Sequence, residues 1–287
     1  MKVAVVSGSN KGVGLGVVRG LCKEFEGDVY LTSRDVGRGE AAVKVLEAEG
    51  LNPKFHQLDI ADKESVLKLR DFMKEKYGGI DVLVNNAAIA FKQAATEPFG
   101  EQATATLKTN YWDTKAACEI LFPILRPGAR VVNLSSSAGY LGNLEKSENT
   151  EKAKKLMKKL SSDDLSVSEL DAMMKNFEVS ANSGNHQDFG WINSTYSVSK
   201  IGLSALSRIQ NRELSQDSRK DIVVNHVHPG YVDTDMTSHK GPLTIDQGAE
   251  SSIYAALLPP GTPVRGEYIW KDCTILDWVN GPLPSHV

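Results

Sequence analysis

The sequence predicts an α/β fold: a doubly wound parallel β-sheet with helices on both faces and one helical insertion, in a single domain over residues 1–287. Three observations carry this prediction. Residues 3–6 form a continuous apolar, β-branched run, as in a strand covered on both faces, and 130–134 and 222–227 read as further strands of the buried type. In the first half of the chain, single stretches of helical periodicity separate successive strand-like segments, which makes the connections crossovers and the strands parallel. A glycine cluster joins the first strand to the first helix, at the edge where such sheets bind ligands.

Composition narrows the function. Hydrophobic residues at 41% and charged residues at 24% are ordinary for a water-soluble domain. A net charge of −3 gives no general attraction to nucleic acid or an anionic membrane. No apolar run reaches the length of a membrane span, so neither a membrane nor a nucleic-acid partner is expected. The apolar N-terminus is brief and runs into glycine, which reads as a strand and not a signal peptide. Cys22, Cys118 and Cys273 are far apart and lack CxxC spacing, so neither a disulfide framework nor a zinc site is expected and a cytoplasmic location fits best. His226 and His228 would share one face of a strand, but no third ligand accompanies them and no metal is expected.

Taken in order, residues 3–6 form the first strand, and Gly8, Gly12 and Gly14 then open a helix over 15–24. Glycines there allow a tight turn and close approach of a pyrophosphate, which meets free N–H groups at the helix start, the Rossmann-type arrangement. The second strand, 28–32, ends in Ser33, Arg34 and Asp35. An acid about 20 residues past the glycines would hold the ribose hydroxyl of NAD. Arg34 at the strand end and Lys11 in the loop suit a 2′-phosphate and hence NADPH, while Asp35, one residue on, is the argument for NAD. A helix over 38–49, a strand over 54–59 ending at Asp59, a helix over 65–77 and a strand over 80–84 ending at Asn85 and Asn86 follow. Asp59 could accept from an adenine amine, and Asn86 would lie on the same ligand edge.

The second half carries the candidate chemistry. A long helix over 104–121 contains Asn110, and the strand over 130–134 closes in Ser135, Ser136 and Ser137, any of which could hydrogen-bond a substrate carbonyl. Residues 194–202 open a helix in which Tyr196 and Lys200 lie one turn apart on one face. A neighbouring ammonium favours a phenolate, so this spacing predicts a lowered tyrosine pKa and general acid/base work. The strand over 222–227 leads into a cofactor-facing loop over 228–234.

The combined pattern resembles the short-chain dehydrogenase/reductases, and within them the cytosolic NADPH-dependent carbonyl reductases. It comprises Gly8-x-x-x-Gly12-x-Gly14, Asn85-Asn86-Ala87, Asn110, Ser136, Tyr196-x-x-x-Lys200 and Pro229-Gly230, with further similarity at 31–36 and 55–60. The resemblance runs from residue 3 to about 260. It implies reduction of small-molecule ketones, aldehydes or quinones by hydride transfer from NADPH. Tyr196 would donate the proton, Lys200 would tune it and hold the ribose, Ser136 would polarise the carbonyl, and Asn110 would support a water leading to Lys200. It also implies that Asn10, Lys11, Val13, Arg34, Asp59, Ile60, Asn86, Pro229, Gly230, Val232, Asp233 and Thr234 face the cofactor, with Tyr231 on the substrate side. Two positions depart from the family pattern. Ala88 stands where a glycine is common, and His228 where a small residue or cysteine is usual, which puts any binding of glutathione adducts in doubt. An oxidative alcohol dehydrogenase on the same scaffold and a non-catalytic NADP(H) sensor are the alternatives; a complete set of Tyr196, Lys200, Ser136 and Asn110 argues against the sensor.

Ser136 and Tyr196 are far apart in sequence because of an insertion over about 143–190. Its lysine-rich stretch, 150–160, reads as a solvated face. Ser166 to Glu169 reads as a capping box, and Leu170, Met173, Met174 and Phe177 recur at helical spacing as a core-facing stripe. In the resembling reductases a similar insertion covers the surface used to tetramerise, so a monomer is expected. Tyr268, Trp270 and Trp278 in the proline-punctuated tail could line or cap the substrate side, with packing as the simpler reading.

Overall fold

A computed structural model of the protein describes residues 1–92 and 94–284. Its strands are β1 (Lys2–Val6), β2 (Gly27–Ser33), β3 (Lys54–Gln57), β4 (Ile80–Asn85), β5 (Leu125–Leu134), β6 (Val223–Val227), β7 (Tyr268–Ile269) and β8 (Ile275–Leu276). Its α-helices are α1 (Gly12–Glu24), α2 (Val36–Ala48), α3 (Lys63–Tyr77), α4 (Phe99–Leu107), α5 (Thr114–Leu121), α6 (Thr150–Leu160), α7 (Val167–Asn182), α8 (Thr195–Ser215) and α9 (Ile245–Ala256).

Side chains alternate across a strand, so a continuous apolar run feeds two cores. Ala4 and Val6 of β1 pack with Val17, Val18 and Leu21 of α1 and with Ala249 and Ala255 of α9. Val3 and Val5 face the other way, toward Val66 and Leu69 of α3 and Leu121 of α5. The strands lie in the order β3-β2-β1-β4-β5-β6-β7-β8. Each neighbouring pair is parallel except β7 with β8. The order reverses between β1 and β4, which opens a crevice at the carboxyl ends of the strands. The predicted doubly wound sheet with helices on both faces is what forms.

The insertion folds as two helices. Ser166 and Glu169 close the expected capping box at the start of α7. Leu170, Met173, Met174 and Phe177 are buried against Ala103 and Leu107 of α4 and Val198 and Ile201 of α8. Lys152, Lys154, Lys155, Lys158 and Lys159 of α6 are exposed, as a solvated face requires.

Several boundaries differ from expectation. The long helix expected over 104–121 starts earlier, at Phe99, and is interrupted by a π-helical stretch, Lys108–Asp113, that carries Asn110. Gly100 weakens the helix signal at that start, yet it is required there, since a Cβ would come within 2.7 Å of the Asn182 backbone. β3 stops at Gln57, two residues before Asp59, because the Asp59 N–H turns to the Ser65 hydroxyl instead of a neighbouring strand. β7 and β8 were not anticipated; two-residue strands carry no readable periodicity.

Phe177 is fully buried and touches Phe99 and Trp191 edge-on. Phe177→Ala is therefore expected to cost about 3–5 kcal/mol in urea unfolding; a loss below about 1 kcal/mol would contradict the placement of α7 in the core.

Candidate active site

The nucleotide end is built from the turn between β1 and α1. Gly8 and Gly12 take left-handed φ values of +58° and +59°, which glycine adopts without penalty. Gly14 has a different reason: a Cβ there would lie 2.4 Å from the Asn86 amide nitrogen. Asn86 Nδ2 donates to the carbonyls of Ser7 and Gly8, at 2.9 Å each. Ser7 Oγ in turn accepts from the N–H groups of Asn86 and Ala87. The ends of β1 and β4 are thus tied together at the crevice. No side chain caps the start of α1, and its first turn holds no acid. A bare helix N-terminus beside a glycine turn is the cradle a pyrophosphate fits.

The rest of the expected cofactor surface borders this turn. Arg34 is exposed just past β2. Asp35, the residue that would argue for NAD, spends its carboxylate as the cap of α2, accepting from the Arg38 N–H at 2.8 Å. Lys11 does not stand free: its ammonium pairs with Asp235 at 2.6 Å, across the cleft from the loop after β6. In that loop Thr234 packs over Gly12, Val232 is buried, and Asp233 pairs with His239. Asp59 accepts from the Ala61 N–H, and Ile60 is half-buried beside the α3 core. Ala88 is harmless in place of glycine, since the non-glycine residues of positive φ among the described ones are Asp221, Ser238, His239 and Cys273.

At the catalytic end, α8 presents Tyr196 and Lys200 to the close of β5. Ser194 caps α8 by accepting from the Ser197 N–H, which fixes the first turn. Lys200 is 3% exposed, and its ammonium donates to the Leu134 carbonyl at 2.6 Å. Burial pushes its pKa down to about 7. The same ammonium lies 5.7 Å from the centre of the Tyr196 ring. The predicted lowering of the tyrosine is not found: burial raises the half-buried phenol, and the hydrogen bond with Ser136 opposes that only in part. The ammonium is aimed at a backbone carbonyl, so burial dominates the phenol.

The three serines separate by geometry. Ser135 is buried and its hydroxyl is engaged with Ser204 at 2.7 Å and the Lys200 carbonyl. Ser137 serves through its backbone. Ser136 keeps its hydroxyl at the cleft beside Tyr196, accepting from the Ala138 N–H at 3.2 Å. Asn110 is buried, and both its amide hydrogens are used: Nδ2 donates to the Ile89 carbonyl and to Ser199 Oγ, while Oδ1 accepts from the Ile89 N–H. It staples the chain after β4 to α8. The π-helical turn that carries it accompanies this reach. Tyr231 is exposed at 40%, after Pro229 and Gly230 at the mouth of the cleft.

Sequence reasoning missed Ser7 and Ser199, which hold site residues in place, and did not foresee that the Tyr268 hydroxyl donates to the Ser136 carbonyl. Ser7, directly before the glycines, was the one with a local signal. Tyr268, Trp270 and Trp278 are buried, as expected of packing residues.

A crevice at a strand-order reversal, a bare glycine turn and a tyrosine–lysine–serine group on the same edge define a dinucleotide-dependent oxidoreductase site. The short chain dehydrogenase family model matches residues 2–159 and 177–242, and the chain belongs to that family. The unmatched residues in between lie within the insertion. Human "Carbonyl reductase [NADPH] 1" is 49% identical over 259 residues, covering 90% of this chain and 91% of that protein. Human "Carbonyl reductase [NADPH] 3" is 46% identical over 279 residues, covering 96% and 98%. Among solved structures, salutaridine reductase from Papaver somniferum aligns with a TM-score of 0.81 at 29% identity, covering 95% of this chain and all of that one.

The buried Lys200 has a thermodynamic signature. Its folded-state pKa of about 7 lies below its ordinary value of 10.5, so between those values the unfolded chain binds more protons and stability rises with pH. Without nucleotide, urea unfolding should show a gain of about 1–2 kcal/mol between roughly pH 7 and 8.5, and Lys200→Met should remove it. Parallel pH profiles for the two proteins would contradict the buried ammonium.

Proposed function

We propose that the protein is an NADPH-dependent carbonyl reductase, converting ketones, aldehydes or quinones to alcohols. The observation that carries this reading is the placement of Tyr196, hydrogen-bonded to Ser136 and with the Lys200 ammonium 5.7 Å from its ring centre, on the ligand edge of the sheet. A phenol is protonated at neutral pH, the form a proton donor must have before reduction begins. Bound NADPH supplies the hydride.

The protein's own residues then have distinct tasks. The Ser136 hydroxyl, held beside Tyr196, orients and polarises the substrate carbonyl oxygen. Tyr196 gives that oxygen its proton as negative charge develops there. The Lys200 ammonium, 5.7 Å from the ring centre, stabilises the phenolate left behind. Asn110 keeps the loop after β4 against α8 and so fixes the nicotinamide side of the cleft. Arg34, unopposed by a free acid at the end of β2, selects the 2′-phosphate, with Lys11 as a second cation once it leaves Asp235.

The match in identity and length to the curated carbonyl reductases supports both reaction and cofactor. A monomeric state is part of the same reading, supported by α7, which covers the α4 and α8 surface. We also place the protein in the cytoplasm; its three cysteines are free thiols, as a reducing compartment requires. Among the described residues, no helix is long and apolar enough to cross a membrane.

Tyr196→Phe removes the transferable proton and little else. It is expected to lower kcat by about 10²–10⁴-fold while leaving NADPH affinity within about twofold. Ordinary turnover in this variant would remove Tyr196 as the proton donor.

A further inference from the structure

One peptide unit beside the reaction site is gripped at both ends. The carbonyl of Ser136 accepts from the Tyr268 hydroxyl at 2.7 Å. The N–H of the same unit, on Ser137, donates to His228 Nδ1 at 2.9 Å. A peptide is planar, so fixing its oxygen and its hydrogen fixes its plane, and with it the direction of the bond to Ser136 Cα. The position of the Ser136 hydroxyl then depends on that residue's own ψ and side-chain torsions, and the Ala138 N–H, donating to Oγ at 3.2 Å, restrains them.

The two gripping side chains are themselves buried and packed against aromatic rings. Tyr268 is 1% exposed and stacks on His226, with ring centres 5.0 Å apart. His228 is 2% exposed and lies against Trp270 at 4.2 Å. Burial, with Lys271 nearby, pushes the His228 imidazole down to about 3, so it is neutral in use. Its Nδ1 faces two N–H groups, those of Ser137 and Gly230, and is therefore the unprotonated, accepting nitrogen. Further along the same loop, Trp278 donates to the Gly139 carbonyl at 2.7 Å, and the Tyr140 hydroxyl reaches Gly281.

We propose that Tyr268 and His228 are positioning residues for the reduction, acting together as a clamp that sets the Ser136 hydroxyl against the substrate carbonyl. Neither touches the reacting atoms. The clamp rests on the reductase reading above, because it acts through Ser136. It gives a function to His228, one of the two positions at which this chain departs from the family pattern, and it makes the β6–β7 end of the sheet part of the catalytic apparatus.

Three variants test the clamp on full-length protein with NADPH and menadione. Tyr268→Phe deletes one oxygen and keeps the ring stack. His228→Leu removes the acceptor, while His228→Asn offers an amide oxygen close to where Nδ1 stood. We expect Tyr268→Phe and His228→Leu each to lower kcat by about 10- to 100-fold, with the KM for NADPH changed less than about twofold. His228→Asn should recover most of the kcat lost in His228→Leu. Amide hydrogen exchange read on the same proteins should show Ser137 deprotected in His228→Leu and protected again in His228→Asn. Unchanged kcat in Tyr268→Phe and His228→Leu, beside an active wild type, would overturn the proposal. An inactive wild type would instead refute the reductase reading; Ser137 exchange would still report the clamp, and equal protection in all proteins would refute it.

Discussion

The structure depends on one buried charge. The Lys200 ammonium is removed from water and held by the Leu134 carbonyl at 2.6 Å, at a desolvation cost that a single neutral acceptor offsets only in part. The same face of α8 continues the contact with the close of β5. Ser204 meets Ser135, and Ser207 and Gln210 meet the Asn133 amide. These polar bonds run down successive turns of the helix and fix both its rotation and its height on the sheet. A hydrophobic face alone tolerates sliding; a row of buried hydrogen bonds does not, because each one left unmade costs about 1–3 kcal/mol. Tyr196, one turn before Lys200, is thereby delivered to the ligand edge.

That constraint brings the groups of the site together: the Tyr196 phenol, hydrogen-bonded to Ser136, has the Lys200 ammonium 5.7 Å from its ring centre. The glycine turn and uncapped α1 lie along the adjacent edge, and Asn86 ties together the two strand ends that frame it. The insertion contributes at a distance: by burying Met174 and Phe177 against α4 and α8, it stiffens the helix that bears the tyrosine.

The fold was legible because its signals are local and repeated. Strand runs such as 3–6 and 222–227 and the helical stripe at Leu170 to Phe177 report burial directly, and the glycines sit where a strand gives way to a helix. The site residues were legible as a motif, but their roles were not. The spacing of Tyr196 and Lys200 could not reveal that the ammonium is aimed at Leu134, and so the lowered phenol did not follow. Asn110 looked like an ordinary helical residue because a π-helical turn has no composition of its own. Lys11 could not be seen to meet Asp235, which lies 224 residues away. The short strands at the end of the chain, with Tyr268 of β7 reaching the Ser136 carbonyl, are set wholly by tertiary contacts.

The account is tested most directly by following oxidation of the reduced nicotinamide, with NADPH and NADH side by side, on a panel of quinones and isatin-like ketones. It predicts saturable turnover with NADPH and a kcat/KM for NADH lower by at least about tenfold, the difference that one charge-assisted contact to a 2′-phosphate supplies. Tight NADPH binding without turnover of any carbonyl, or equal use of the two nucleotides, would contradict it.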